Sequence, residues 1–382
     1  MSKLLELINN LKDFDKICKV LKNEPYYGKI KWSKNLYLIS YSDQSDKDNE
    51  IVQEMNGIIL EKNTNKVIAN CTKIIKEKTF EEFDDNFTTD HEKYLIDEID
   101  DGTNIRFYYY NNKWNIATNK NINAYYGYWY HRNKSFGEMV DEYLDKNKGK
   151  FYKILDKQYT YFYTLTHPDN YMIIKYLQGE LKFLYKMKEP YQLELPKVNE
   201  EDHLYSKEYL KLFLKNSKND KRGIVVINKE NSDIIKYDKD SFTLRKEIRG
   251  DTFTIQERYI ELFLSGDNEK IELLKKYFPK GEYRYTDFLI KKFILVIMKK
   301  YYSINRFHIF TKLNKFEKQV VFELHNQYKN EKSPINEKLI KRVLYKNLNN
   351  CLEFLFSRKN VQKIIYNPSK NLAEHAHNNS SN

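Results

Sequence analysis

Two rhythms of apolar positions divide the chain. Residues 4–21 set Leu4, Leu7, Ile8, Leu11, Phe14, Cys18 and Leu21 on one face at helical spacing, and Pro25 closes the region. This predicts one N-terminal helix over 1–24. Short β-rich runs follow at 30–32, 36–41, 55–61 and 66–71, with a polar loop over 42–50. Residues 94–129 read as strand, turn, strand, turn, strand. Asp100-Asp101-Gly102 and Asn111-Asn112 supply the turns, because Asx and Gly tolerate the positive φ of tight hairpins. Phe136, Met139, Val140, Tyr143 and Leu144 predict a helix over 135–157. Residues 159–176 read as a strand, a His-Pro-Asp-Asn turn and a second strand. Further on, 180–188 reads as a strand, 202–214 as a helix and 221–242 as a hairpin. From 255 onward the period is helical, including 315–328 and 337–356. The last stretch, 367–382, is polar and expected to be disordered. The sum is an α+β protein: a core of antiparallel sheets over 25–250 and an all-helical domain over 251–366.

Composition changes this picture little. The 382 residues carry a net charge of +12, which favours polyanionic partners. Lys far outnumbers Arg, as AT-rich coding produces, and scattered Lys serves solubility equally well. Cys18, Cys71 and Cys351 lie too far apart for a metal motif or a disulfide framework, which suits a reducing, intracellular compartment. The start of the chain does not read as a signal peptide. The most apolar run, 288–298, contains Lys291 and Lys292 and is shorter than the ~20 residues a bilayer requires. No Gly-rich phosphate loop, His-Glu-x-x-His, Cys-x-x-Cys or Gly-x-Ser-x-Gly is present.

Four segments in order carry a resemblance. They are Asn56-Gly57 with the two strands after it, the Asp101-Gly102-Thr103 turn followed by the Arg106 strand and Lys113-Trp114-Asn115, the Phe162 strand with Pro168 and Asn170, and 221–242 with Gly223 and Lys236. Together with the helical tail they resemble the RNA ligase-like covalent nucleotidyltransferases, phage-type RNA ligases above all. They also resemble ligase-like proteins of giant DNA viruses that carry an acidic-Gly-Thr turn. In that superfamily a Lys-x-Asp-Gly lysine attacks the α-phosphate of a nucleotide.

The resemblance implies an ATP-grasp-like ligase core and places residues within it. Ile99 falls at the nucleophile position and has no lone pair to attack phosphorus. Asn56 falls at an arginine position, and Tyr163 at that of a ribose-binding glutamate. Arg222 falls at that of a metal-binding glutamate, and Asp238 at that of a second phosphate lysine. The implied nucleotide or nucleic-acid contacts are Lys73, Lys76, Asp101, Gly102, Arg106, Lys120, Asn170, Arg222 and Lys236, with Lys73, Lys76, Arg106, Lys120 and Lys236 facing a basic cleft. No catalytic residue and no metal ligand is assigned. His167, before Pro168, reads as a turn residue.

The reading is a degenerate, non-catalytic ligase-like protein that binds RNA, DNA or nucleotide. One alternative is an active ligase with a relocated nucleophile, which would use ATP and Mg2+. The other is a virion or interaction protein that docks other viral proteins on its helical domain, in host cytoplasm or virion, without a membrane.

Overall fold

The computed structural model describes residues 2–83, 90, 92–128, 134–196, 205–216, 218, 220–252, 254–332 and 334–357. Residue 129 of the expected strand region, the start of the 202–214 helix and the 367–382 tail lie outside them. The chain forms two compact units, Met1–Lys246 and Glu247–Asn382.

The first unit is built on three four-stranded sheets. The first contains β1 (Lys29–Trp32), β2 (Leu36–Ser40), β3 (Asn56–Glu61) and β4 (Val67–Ala69), in that order. The second sheet has the order β5-β12-β11-β6. Its strands are β5 (Lys76–Lys78), β6 (Tyr94–Ile99), β11 (Gly223–Asn228) and β12 (Ile234–Asp238). The third sheet runs β10-β9-β7-β8, from β7 (Thr103–Tyr110), β8 (Lys113–Thr118), β9 (Thr160–Thr166) and β10 (Glu180–Met187). The architecture is mixed α+β with antiparallel sheets, apart from a parallel β5–β12 pairing.

Alternation along the strands sorts the cores. Ile105, Phe107, Tyr161, Tyr163 and Leu165 pack on Met139, Val140 and Leu144 of helix Phe136–Leu144. The opposite side of the third sheet meets both other sheets. Tyr108 and Ala117 pack on Leu38 and Ile59 of the first. Phe162, Tyr185 and Met187 pack on Ile99, Val225 and Ile227 of the second. The outer face of the second sheet is covered by Leu210 and Leu214 of helix Lys207–Lys215.

Several expected elements take a different form. The N-terminal region is two helices, Lys3–Leu11 and Phe14–Lys22. Lys12 between them has φ 58°, and Asp13 caps the second helix through Lys16 N–H. Both pack on the first sheet through Leu4, Ile8, Ile17 and Leu21. The 135–157 helix is likewise broken, at Asp145, where φ is 34°. Residues 171–176 form no strand. Asp101 accepts hydrogen bonds from the backbone N–H groups of Ile173 (2.8 Å) and Ile174 (3.0 Å), so these donors are not available to a ladder.

Gly57 shows why one residue type is required at the start of β3. Its φ is +97°, and an added Cβ would stand 2.5 Å from the Asn119 carbonyl oxygen. Gly57→Ala is expected to destabilise the first unit by about 1–3 kcal/mol, read as a lowered midpoint in urea unfolding. An unchanged midpoint would show that the β3 entry relaxes freely.

The second unit is helical: Ile255–Ser265, Asn268–Tyr277, Tyr283–Asn305, Lys315–Glu331, Glu337–Lys346 and Leu348–Phe356. Capping boxes at Thr254/Glu257 and Asn314/Glu317 start two of them. Ile260, Leu289, Phe293, Val320, Leu324, Ile340 and Val343 form its core. Among the described residues no helix is long and apolar enough to cross a membrane.

Candidate ligand pocket

A pocket of about 390 Å³ opens between the second and third sheets. Strand register explains which side chains reach it. Across the second sheet, Glu77, Lys236, Val225 and Asp97 are successive partners and share one face. The next row on that face is Asp238, Gly223 and Ile99, and the row on the other side is Ile234, Ile227 and Leu95. The third sheet contributes Asn104, Thr164, Lys182, Phe183, Leu184 and Tyr185. Four consecutive β10 residues reach the pocket because the β9–β10 register shifts between Phe183 and Tyr185. The result is an apolar slot with a few charged groups, the usual make-up of a small-molecule site.

Most of those charges are already paired. Lys182 bonds Asp97 at 2.8 Å and donates to the Glu98 carbonyl at 2.9 Å. Asp100 is held by Lys221 at 2.7 Å. Arg222 grips Asp238 with two hydrogen bonds, Nε–Oδ1 at 2.6 Å and Nη2–Oδ2 at 3.1 Å. Its Nη2 also meets Glu77 at 2.7 Å. Burial opposes the Glu77 charge, but Arg222 and Lys246 outweigh it and pull its pKa down to about 2.

Lys236 is the exception. It is half-buried, lines the pocket, and has no hydrogen-bond or ion-pair partner among the described residues. Burial first, and repulsion from Arg222 second, lower its pKa to about 8.

The sequence-derived site residues fall into three groups. Gly102, Arg222 and Lys236 line the pocket together with Ile99. An added Cβ at Gly102 would lie 2.6 Å from the Leu165 carbonyl oxygen, so the β6–β7 turn needs glycine to close on β9. Asp101 and Asn170 have structural tasks beside it. Asp101 clasps Ile173 and Ile174, while Asn170 donates to the Leu165 carbonyl and accepts from the Thr103 hydroxyl. The third group lies elsewhere. Arg106 does not face a cleft: it is fully buried, donating to the carbonyls of Asn70 (2.9 Å) and Thr118 (2.7 Å). Lys73 and Lys76 are exposed and outside the pocket lining. Lys120 reaches the carbonyl of Tyr41, just past the end of β2.

Three positions implied by the resemblance resolve differently. Tyr163 points away from the pocket into an aromatic cluster with Phe107, Phe151 and Phe183. Its neighbour Thr164 lines the pocket instead, since adjacent strand residues face opposite ways. Arg222 and Asp238, expected as two separate losses, are one ion pair. Asn56, at the arginine position, donates to Thr72 Oγ1 and the Lys73 carbonyl. His167 sits in the turn, its Nδ1 accepting from Asp169 N–H. The sequence reading missed Lys182, Asp97 and Asp100. The clue available was period two, since Asp97 and Ile99 share a face.

No protein-family model matches the chain, nor does any curated protein sequence. Among solved structures, similar chains include two forms of an archaeal ATP-dependent RNA ligase. Form 1 has TM-score 0.41 and 11% identity, form 2 has 0.40 and 10%, and both cover 92% of this chain and 98% of their own. An Aquifex aeolicus protein provisionally named an ATP-dependent DNA ligase has TM-score 0.38 and 13% identity, over 82% of this chain and 87% of its own. All three TM-scores fall below 0.5.

Proposed function

We propose that residues 1–246 form a ligase-like unit that binds a nucleotide reversibly in the pocket and does not become adenylylated at the Ile99 position. Lys236 carries the reading. A half-buried ammonium with no hydrogen-bond or ion-pair partner among the described residues is costly, and a bound phosphate would supply the missing partner. The apolar wall of Leu95, Ile227, Ile234 and Leu184 suits a planar base. Ile99 faces the same pocket without a nucleophile. Arg222 and Asp238 neutralise each other where the resemblance implies a carboxylate for a metal.

The lowered pKa of Lys236 favours a second reading, in which this amine is a relocated nucleophile for ATP. Incubation with α-labelled ATP and Mg2+ or Mn2+, then a denaturing gel and peptide mapping, separates the two. The expected result is no label on folded protein, with nucleotide binding seen by titration. A labelled Lys236 peptide would establish the second reading. Absence of both label and binding would remove nucleotide from the pocket.

A further inference from the structure

A second cluster of positive charge lies at the first sheet. β1 is an edge strand, and its Lys29 and Lys31 alternate with buried Ile30. They therefore share one side, about 6.6 Å apart along the strand. Lys120 approaches from the turn after β8. Its ammonium donates to the Tyr41 carbonyl at 2.9 Å and sits 3.7 Å from the Tyr41 ring centre. Lys47 lies 5.6 Å from the same centre. Lys31 reaches the neighbouring turn and donates to Asn121 at 2.6 Å. Two ammonium groups thus flank Tyr41, and the charges of Lys29, Lys31 and Lys47 all act on the nearer one, Lys120.

Their compensation is thin. Lys31 and Lys120 are hydrogen-bonded to neutral oxygens. Lys29 has the fully exposed Asp43 carboxylate at 3.7 Å, a weak surface pair. Loss of water first, then Lys29, Lys47 and Lys31 against the single help of Asp43, lower the Lys120 pKa to about 8. Like charges held this closely are relieved by a polyanion.

We infer that Lys29, Lys31, Lys47 and Lys120 bind the phosphate backbone of a single-stranded nucleic acid along the seam between β1 and the turn after β8. The strand-spaced pair Lys29 and Lys31 on an open edge strand suits successive phosphates of an extended strand. The patch shares no residue with the pocket, so the inference stands without the nucleotide reading.

The test is fluorescence anisotropy of a labelled oligonucleotide, single-stranded and duplex, across a salt series. For a single strand the slope of log affinity against log salt is about −0.7 per neutralised phosphate, so roughly −3 for four. The Lys29→Gln/Lys31→Gln/Lys47→Gln variant is expected to shrink that slope by about 2 and to weaken binding roughly 100-fold at 0.1 M salt. A fluorescent ATP analogue, titrated in parallel, reports on the pocket and is expected to bind the variant unchanged. Lys236→Met is expected to leave oligonucleotide binding intact. The inference is overturned by a triple variant with wild-type slope and affinity. Equal or tighter binding of the duplex overturns it too, as does failure of the folded wild type to bind the single strand.

Discussion

Lys236→Met is expected to abolish most nucleotide binding while making the first unit more stable. A charge-assisted hydrogen bond to phosphate contributes about 1.5–3 kcal/mol, so affinity falls roughly 10- to 150-fold. Stability moves the other way because the wild-type ammonium is half-buried without a partner among the described residues. The sign follows from proton binding. The folded chain releases the Lys236 proton near pH 8, whereas the ordinary value is 10.5. Between those values the unfolded state binds more protons, so wild-type stability rises with pH across that window. Below pH 8 both states are charged and the penalty is fully present. With allowance for partial exposure, methionine should recover about 1–3 kcal/mol near pH 7 and flatten the rise between pH 8 and 10.5. Urea unfolding over that range, with a nucleotide titration, reads both effects. Loss of stability together with binding would mean that Lys236 holds the fold rather than a ligand.

Arg222→Ala is expected to destabilise the first unit by about 3–5 kcal/mol, because it leaves Asp238 buried and unpaired. The Arg222→Met/Asp238→Leu double variant should stand within about 2 kcal/mol of wild type, since apolar groups can replace a buried ion pair at little cost. Glu77 supplies a second readout. Its folded pKa lies near 2 against an ordinary 4.5. Its stabilisation is therefore complete above pH 4.5 and lost as the pH falls toward 2. Arg222→Ala should shrink that acid limb, leaving Lys246 as the remaining cation on Glu77. Equal losses in the single and double variants would show that the pair contributes shape rather than charge.

Where local pattern and tertiary packing agree, the sequence was readable. The β6–β7 turn, the β7–β8 hairpin, the β11–β12 hairpin and the helical last third follow from period and turn chemistry. Errors gathered where a side chain overrode the pattern. Asp101 takes the amides of Ile173 and Ile174, so an apolar run that looks like a strand is not one. Arg106 looked like a phosphate ligand because cations rarely enter cores. Two carbonyls 36 and 12 residues away make its burial possible, and no local window contains them. Lys182 was invisible for a similar reason. Its importance comes from Asp97, which belongs to a different sheet. For Arg222 and Asp238 the residue types were legible and their mutual contact was not.

That contact also limits how the site can drift. A charge reversal at Arg222 alone would set an acid against Asp238, and a reversal at Asp238 alone would set a base against Arg222. Either intermediate costs several kcal/mol, a large share of the 5–15 kcal/mol that a typical domain has in reserve. The opposite polarity can be reached only by two changes together or by way of an uncharged residue. In sequence space the pair acts as a ratchet that resists being undone one step at a time.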